Sequence, residues 1–378
     1  MGKVEKSGLV KSHAAVGSHR TVDLLQSDSK SQIRRTIRII SNVRRLDGIY
    51  TDRFSVIHRF DGDAGTLRTA VRLFFQAFQY DVLIWNNDTR ALLILCLLRW
   101  IWPFHSCRLV SIDVVLSGPS GWMQRLKAKV MKLLLGKVDR FVLNFVDLEG
   151  YNRFYGISPA RVSYVPFKVN SWDELPQAEE LSSDGEYVFT GGRSFRDLPT
   201  FIAAMRMVDC PGVLVYHNPL LMKEHGTDLD LNNLPGNLRA EEDDGDPQSW
   251  LNYILRAKVV VLPILGNSIS ASGISAYLLA MACKKCVIIS DGPATRGLLK
   301  DEAIIVPPAD PVALANAIRR AWEDDDLRER TANAGRRYAE SLGGEPRLLS
   351  DIVDVCGDLV SNKIPRHGNR ETPLSSPH

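Results

Sequence analysis

The chain is poor in cysteine and has no long apolar run, and each shortage excludes a class of protein. Its six cysteines, Cys96, Cys107, Cys210, Cys283, Cys286 and Cys356, lie in or beside apolar stretches without the dense spacing of a secreted disulfide scaffold, so a reducing, cytoplasmic setting is expected. Cys283-Lys-Lys-Cys286 has the spacing of a metal or redox pair, but no second pair accompanies it, which argues against zinc or disulfide exchange. The first 30 residues are polar and lack the apolar centre of a secretory signal. The most hydrophobic window, Ala91 to Trp102, contains Arg99 and is far shorter than the roughly 20 residues a membrane-spanning helix needs. It is read as a core helix, with Trp100 and Trp102 leaving an interfacial contact open.

What is present is ordinary in amount and uneven in place. The apolar content of 45% and charged content of 24% are those of a globular protein, and 378 residues are enough for two domains with separate cores. Residues 1–170 carry 26 Lys and Arg against 13 Asp and Glu, whereas residues 171–378 carry 21 against 31, so a net charge of +3 conceals a basic half and an acidic half. Arg34-Arg35, Arg44-Arg45 and the run from Arg125 to Lys132 suit an anionic membrane surface; they are equally readable as solvated helix faces. No nucleic-acid partner is expected.

Short β-type runs alternate with longer helical patterns, which points to an α/β fold with parallel sheets. The first series of strands reads as Thr36–Ile40, Phe54–His58, Asp81–Trp85, Arg108–Ile112, Arg140–Leu143 and Val162–Val165, with helices near Gly65–Phe78, Thr89–Trp100, Trp122–Leu135 and Leu148–Tyr155. The polar stretch Phe167–Gly185, holding Pro176, reads as a crossing. A second series follows: strands Tyr187–Thr190, Val213–Tyr216, a weak one at Asn237–Arg239, Val259–Leu262, Val287–Ser290 and Ala303–Val306. Its helices are expected near Leu198–Met207, Pro247–Arg256, Ile274–Ala282, Ala294–Leu299, Pro311–Glu323 and Asp326–Ser341, and Arg347–Leu359 reads as a further helix able to pack on either sheet. The segment Asn218–Gly236 reads as a polar loop and Glu241–Asp246 as a solvated acidic run.

The most informative stretch runs from Asn267 to Asp291. A buried-strand pattern, Val259 to Pro263, leads into a loop of small hydroxylated residues that opens a helix. The first N–H groups of a helix have no intrahelical partner and sit at the positive end of its dipole, and Ser270, Ser272, Gly273 and Ser275 leave room for a phosphate to approach them. Alternatively the hydroxyls only cap the helix. Upstream, Gly191-Gly192-Arg193 and Arg196 stand at a strand-to-helix turn, the edge at which open α/β sheets bind ligands, and guanidinium groups there give charge-assisted bonds to phosphate. The other reading is an Arg pair held by Asp197 or a neighbouring carboxylate. Asp113 follows an apolar strand and is a candidate polar contact, or a plain loop aspartate; His105 and His217 are isolated and read as ordinary.

Three segments resemble the donor domain of nucleotide-sugar-dependent glycosyltransferases with the GT-B fold, the group that includes retaining hexosyl- and mannosyltransferases. They are Tyr187 to Thr200 with its Gly-Arg pair, Leu251 to Pro263, and Leu278 to Asp291 continuing through Ile304 to Ile318, and together they span roughly residues 186–340. The first half is similar more weakly, through Tyr151 to Phe167. The resemblance implies two Rossmann-like domains facing across a cleft. The divisions are a polar tail 1–30, an acceptor-side domain 31–170, a crossing 171–185, a donor domain 186–345, a helix 346–361 and a disordered tail 362–378.

It further implies transfer of a sugar from a nucleotide diphosphate sugar, with retention. The basic half and the Trp-rich window suit a bilayer surface, so the expected acceptor is a saccharide or lipid-linked saccharide of cell-surface polysaccharide synthesis, and the expected setting is the cytoplasm, at or near the inner face of the membrane. No cofactor beyond the donor is implied. Gly191, Gly192, Arg193, Arg196, Ser270, Ser272, Gly273 and Ser275 fall where relatives hold the donor, and Asp113 is the catalytic candidate. The serine loop has no Asp-x-Asp cluster, so metal-independent transfer is expected. Two departures stand out. Many relatives have glutamates at the positions of Ala271 and Leu279, the later one contacting the donor ribose, and a His-Asp pair where this chain has Ile112-Asp113. These losses keep a second outcome open, a degenerate member that binds nucleotide sugar or a partner without turnover. A nucleotide-sugar 2-epimerase would need carboxylates and histidines that have no counterpart here.

Overall fold

The computed structural model describes residues 34–361 except 47, 62–65, 104–105 and 176–179. The expected tails 1–30 and 362–378, and His105 and Pro176, lie outside the described residues.

Six strands build the first sheet: β1 (Arg35–Ser41), β2 (Phe54–Phe60), β3 (Val82–Asn86), β4 (Arg108–Ile112), β5 (Arg140–Leu143) and β6 (Val162–Tyr164). They pair in parallel in the order β2-β1-β3-β4-β5-β6. Interior strands of a parallel sheet are covered on both faces, which is why β3, β4 and β5 read as continuous apolar runs. Alternate side chains then part company. Leu83, Leu109 and Phe141 join helices α1 (Thr66–Gln76), α2 (Thr89–Ile101), α3 (Trp122–Leu135) and α4 (Glu149–Tyr155), while Val82, Val110 and Val142 face the other way.

The second sheet holds β7 (Tyr187–Gly191), β8 (Gly212–Tyr216), β9 (Leu238–Glu242), β10 (Ala257–Leu262), β11 (Cys286–Ser290) and β12 (Ile304–Val306), again all parallel. Its order is β12-β11-β10-β7-β8-β9, the doubly wound arrangement whose direction of winding reverses between β7 and β10. Around it lie α5 (Leu198–Met205), α6 (Pro219–Glu224), α7 (Pro247–Arg256), α8 (Ile274–Ala282), α9 (Pro311–Glu323) and α10 (Asp325–Leu342). Pro247 and Pro311 open α7 and α9 behind capping Asp246 and Asp310, whose side chains accept from Gln248 and Ala313 N–H.

The last helix, α11 (Glu345–Val360), returns to the first sheet and covers its second face through Leu349, Ile352, Val353 and Cys356. The chain therefore passes between the lobes twice. The passages touch: Val169 N–H donates to the Gly343 carbonyl at 3.3 Å, and Gly344 lies against Trp172.

Two local expectations are corrected. Ala294–Leu299 is a series of turns, not a helix, because the Thr295 hydroxyl bonds the Gly292 backbone and Gly297 adopts φ +73°. Within Asn218–Gly236 the structure forms α6, started by the Asn218 side chain, which accepts from Leu220 and Leu221 N–H, and by Pro219.

Candidate functional site

A cleft of about 880 Å³ opens where the C-terminal ends of the two sets of strands meet. The first lobe lines it with residues that follow β3, β4 and β5, including Asn87, Asp113 and Asn144; the second lines it from the ends of β7, β8, β9 and β10. The strand-order reversal between β7 and β10 leaves their two loops diverging to opposite faces, and the crevice between them is where doubly wound sheets take ligands.

Those two loops are laced together. Asp197 N–H donates to the Pro263 carbonyl at 2.9 Å and Leu265 N–H to the Phe195 carbonyl at 3.1 Å. The lacing buries Arg196, which is 5% exposed. Its Nε donates to the Gly191 carbonyl at 3.1 Å and its Nη1 to the Ser194 carbonyl at 2.9 Å. A Cβ on Gly192 would come within 2.8 Å of its Nη2, so glycine there, at φ +109°, lets the guanidinium lie flat under the turn. No carboxylate pairs with Arg196 among the described residues, and burial lowers its pKa to about 10. Asp197, which the alternative reading paired with it, instead caps α5 by accepting from Thr200 N–H and hydroxyl. Arg193 also lines the cleft, exposed and without an ion pair among the described residues.

At the mouth of α8 the cap is Gly273, φ +93°, with no side-chain cap. The hydroxyl-cap alternative is therefore not realised, and the first N–H groups of α8 face a cleft lined by Ser272, Gly273 and Ser275. Ser270 is turned elsewhere. Its hydroxyl donates to the Leu116 carbonyl at 2.6 Å, accepts from Leu116 N–H at 2.9 Å and meets the Tyr151 hydroxyl at 2.7 Å, tying the serine loop to the first lobe.

Asp113 directly follows β4, at φ +49°, and lines the cleft. Burial raises its pKa, and its carboxylate caps no helix and pairs with no cation among the described residues. Other lining carboxylates are engaged: Asp88 caps α2, Asp246 caps α7, and an Asp243 carboxylate oxygen lies 3.0 Å from His217 Nδ1. His217 is thus not the isolated residue it seemed, and the acidic run is more than a solvated loop. His217 stacks on Trp250, with ring centroids 6.5 Å apart, and Glu241 accepts from the Tyr253 hydroxyl. Position after β8 and β9 was the signal that could have found them. Tyr151 gave no such signal, since its role depends on the other lobe. Ala271 and Leu279 both line the cleft, so the surface is apolar where relatives carry glutamates. Among the described residues no group of three or more His, Cys, Asp or Glu side chains could hold a metal ion.

Two parallel doubly wound sheets joined across a ligand-sized cleft define the GT-B class of folds. Residues 246–338 match the family model described as glycosyl transferases group 1. No curated protein matches the chain. Among solved structures it is similar to HepE of Anabaena in complex with UDP, at 14% identity and TM-score 0.60, covering 86% of this chain and 100% of that one. A glycosyltransferase from Rickettsia africae matches at 15% identity and TM-score 0.56, over 86% and 90% of the two chains. Sucrose-phosphate synthase from Thermosynechococcus elongatus matches at 17% identity and TM-score 0.58, over 83% and 85%. These likenesses show the fold. No helix among the described residues is long and apolar enough to cross a membrane.

Proposed function

We propose that the protein transfers a sugar from a nucleotide diphosphate sugar to an acceptor, with the diphosphate held between the β7 and β10 loops. The observation that carries this reading is the buried Arg196, a cation with no carboxylate partner among the described residues, at the cleft beside the uncapped start of α8. Breaking the anomeric C–O bond puts negative charge on the departing diphosphate, and fixed cations and helix amides in a site shielded from water stabilise it. Arg193 adds a second, solvent-facing cation. Gly191 and Gly192 keep the turn low enough for the phosphates to approach, and Ser272 and Ser275 offer hydroxyls. Asp113, from the opposite lobe, contacts a hydroxyl of the sugar or acceptor. The complexes of HepE with UDP and with UDP-glucose support a nucleotide diphosphate sugar as donor.

Retention of configuration follows the family resemblance, and metal-independent transfer follows from a serine loop that has no Asp-x-Asp cluster. The acceptor is a saccharide or a lipid-linked saccharide in cell-surface polysaccharide synthesis, a reading supported by the basic first half and its tryptophans. The replacement of both expected glutamates by Ala271 and Leu279 favours a second reading, a binder without turnover. One experiment separates them: thermal unfolding of the purified chain with a panel of nucleotides and nucleotide sugars, followed by assay of donor cleavage. A ligand at 100 times its Kd should add about 2.7 kcal/mol. Stabilisation with cleavage supports transfer, stabilisation alone supports the binder, and no stabilisation by any nucleotide sinks both.

A further inference from the structure

Helix α3 is apolar on two opposite sides. Ala128, Met131 and Leu135 are buried against the first sheet. Trp122, Leu126, Val130 and Leu133, at steps of four, four and three, run along the other side and stay open to solvent at 76%, 57%, 53% and 63% exposure. Arg125, Lys129 and Lys132 flank that stripe on one edge and Lys127 on the other, all exposed and paired with no carboxylate among the described residues. The C-terminal end of α2, a helix that packs against α3, adds exposed Trp100 and Ile101, with Trp102 just beyond. Neither helix contains an Asp or Glu.

Packing on the sheet accounts for the inner side only; a contiguous outer apolar face marks an interaction surface. We infer that the outer face of α3, with the end of α2, lies in the headgroup region of an anionic phospholipid bilayer. An in-plane helix of this kind buries its apolar side at the acyl boundary while flanking cations meet anionic headgroups. Charge selects this occupant over a second copy of the chain. Two such faces brought together would oppose lysine rows with no carboxylate on either helix to offset them. Trp122 directly follows the loop whose Leu116 bonds Ser270 and whose Gly118 approaches Asn267, so the docked helix sets the rim of the cleft beside the bilayer. The inference rests on the lipid-linked acceptor of the proposed function and names the surface that would reach it.

Sedimentation of the full chain with phosphatidylcholine vesicles, with and without phosphatidylglycerol, tests it. The wild type should pellet only with the anionic vesicles. Leu126→Glu/Leu133→Glu and Lys127→Gln/Lys129→Gln/Lys132→Gln should each weaken that binding by roughly tenfold or more while keeping the wild-type Tm and nucleotide-induced stabilisation. A wild type left in the supernatant, or variants that pellet as it does, overturns the inference. A dimeric wild type that becomes monomeric in Leu126→Glu/Leu133→Glu, with no vesicle binding by either, overturns it in favour of self-association. Because nucleotide binding is read without vesicles, a chain that pellets but ignores every nucleotide keeps the surface and removes the donor reading alone.

Discussion

Arg193 and Arg196 lie three residues apart, and their surroundings differ completely. Both were visible in the sequence as cations after a Gly-Gly turn; which one would be buried depended on the β10 loop folding over the β7 loop, a contact between residues some seventy positions apart. A charge-assisted bond made in a dry site is worth about 1.5–3 kcal/mol, so Arg196→Met should weaken binding of a nucleoside diphosphate roughly tenfold to hundredfold by calorimetry. The exposed Arg193→Ala should cost less than about fivefold, and the reverse ranking would contradict the site as drawn. Asp113 supplies a pH signature. Burial holds its folded pKa above the ordinary carboxylate value, so the folded state keeps its proton longer than the unfolded chain, and the cost of ionising it grows as pH rises from about 4. The Tm of Asp113→Asn relative to wild type should therefore increase between pH 4 and pH 7, while donor cleavage falls. A pH-independent difference would mean that the carboxylate is well solvated.

The strands were legible almost to the residue because a sheet covered on both faces demands unbroken apolar runs, as in Val259-Val-Val-Leu262. Edge strand β9, Leu238-Arg-Ala-Glu-Glu242, has no such requirement and was faint. Short α6 was lost in a polar setting, and the 294–299 turns mimicked a helix until a left-handed Gly297 was taken into account. Glycine matters again where α8 begins. A methyl on Gly273 would sit 3.4 Å from Ile264 Cδ1, a bearable contact, so the cost of Gly273→Ala is conformational, about 1–2 kcal/mol for a side chain at positive φ. Urea unfolding should show that loss, and nucleotide binding should weaken with it, since the same backbone turn aims the α8 amides.

The lobes are joined by a polar contact that no single-lobe pattern could announce. Ser270→Ala would leave the buried Leu116 N–H without its acceptor, at about 1–3 kcal/mol, whereas Tyr151→Phe removes a hydroxyl shared between Ser270 and the Val114 carbonyl. The two should couple: a double-mutant cycle in urea is expected to depart from additivity by more than about 0.5 kcal/mol. Strict additivity would show that the two hydroxyls act separately.

The return of α11 also has a bearing on biosynthesis. A ribosome must translate the whole second sheet before it makes the helix that roofs Ile37 and Val82, so one side of the earliest-made layer stays bare throughout elongation. The half of the molecule that emerges first is thus the half completed last.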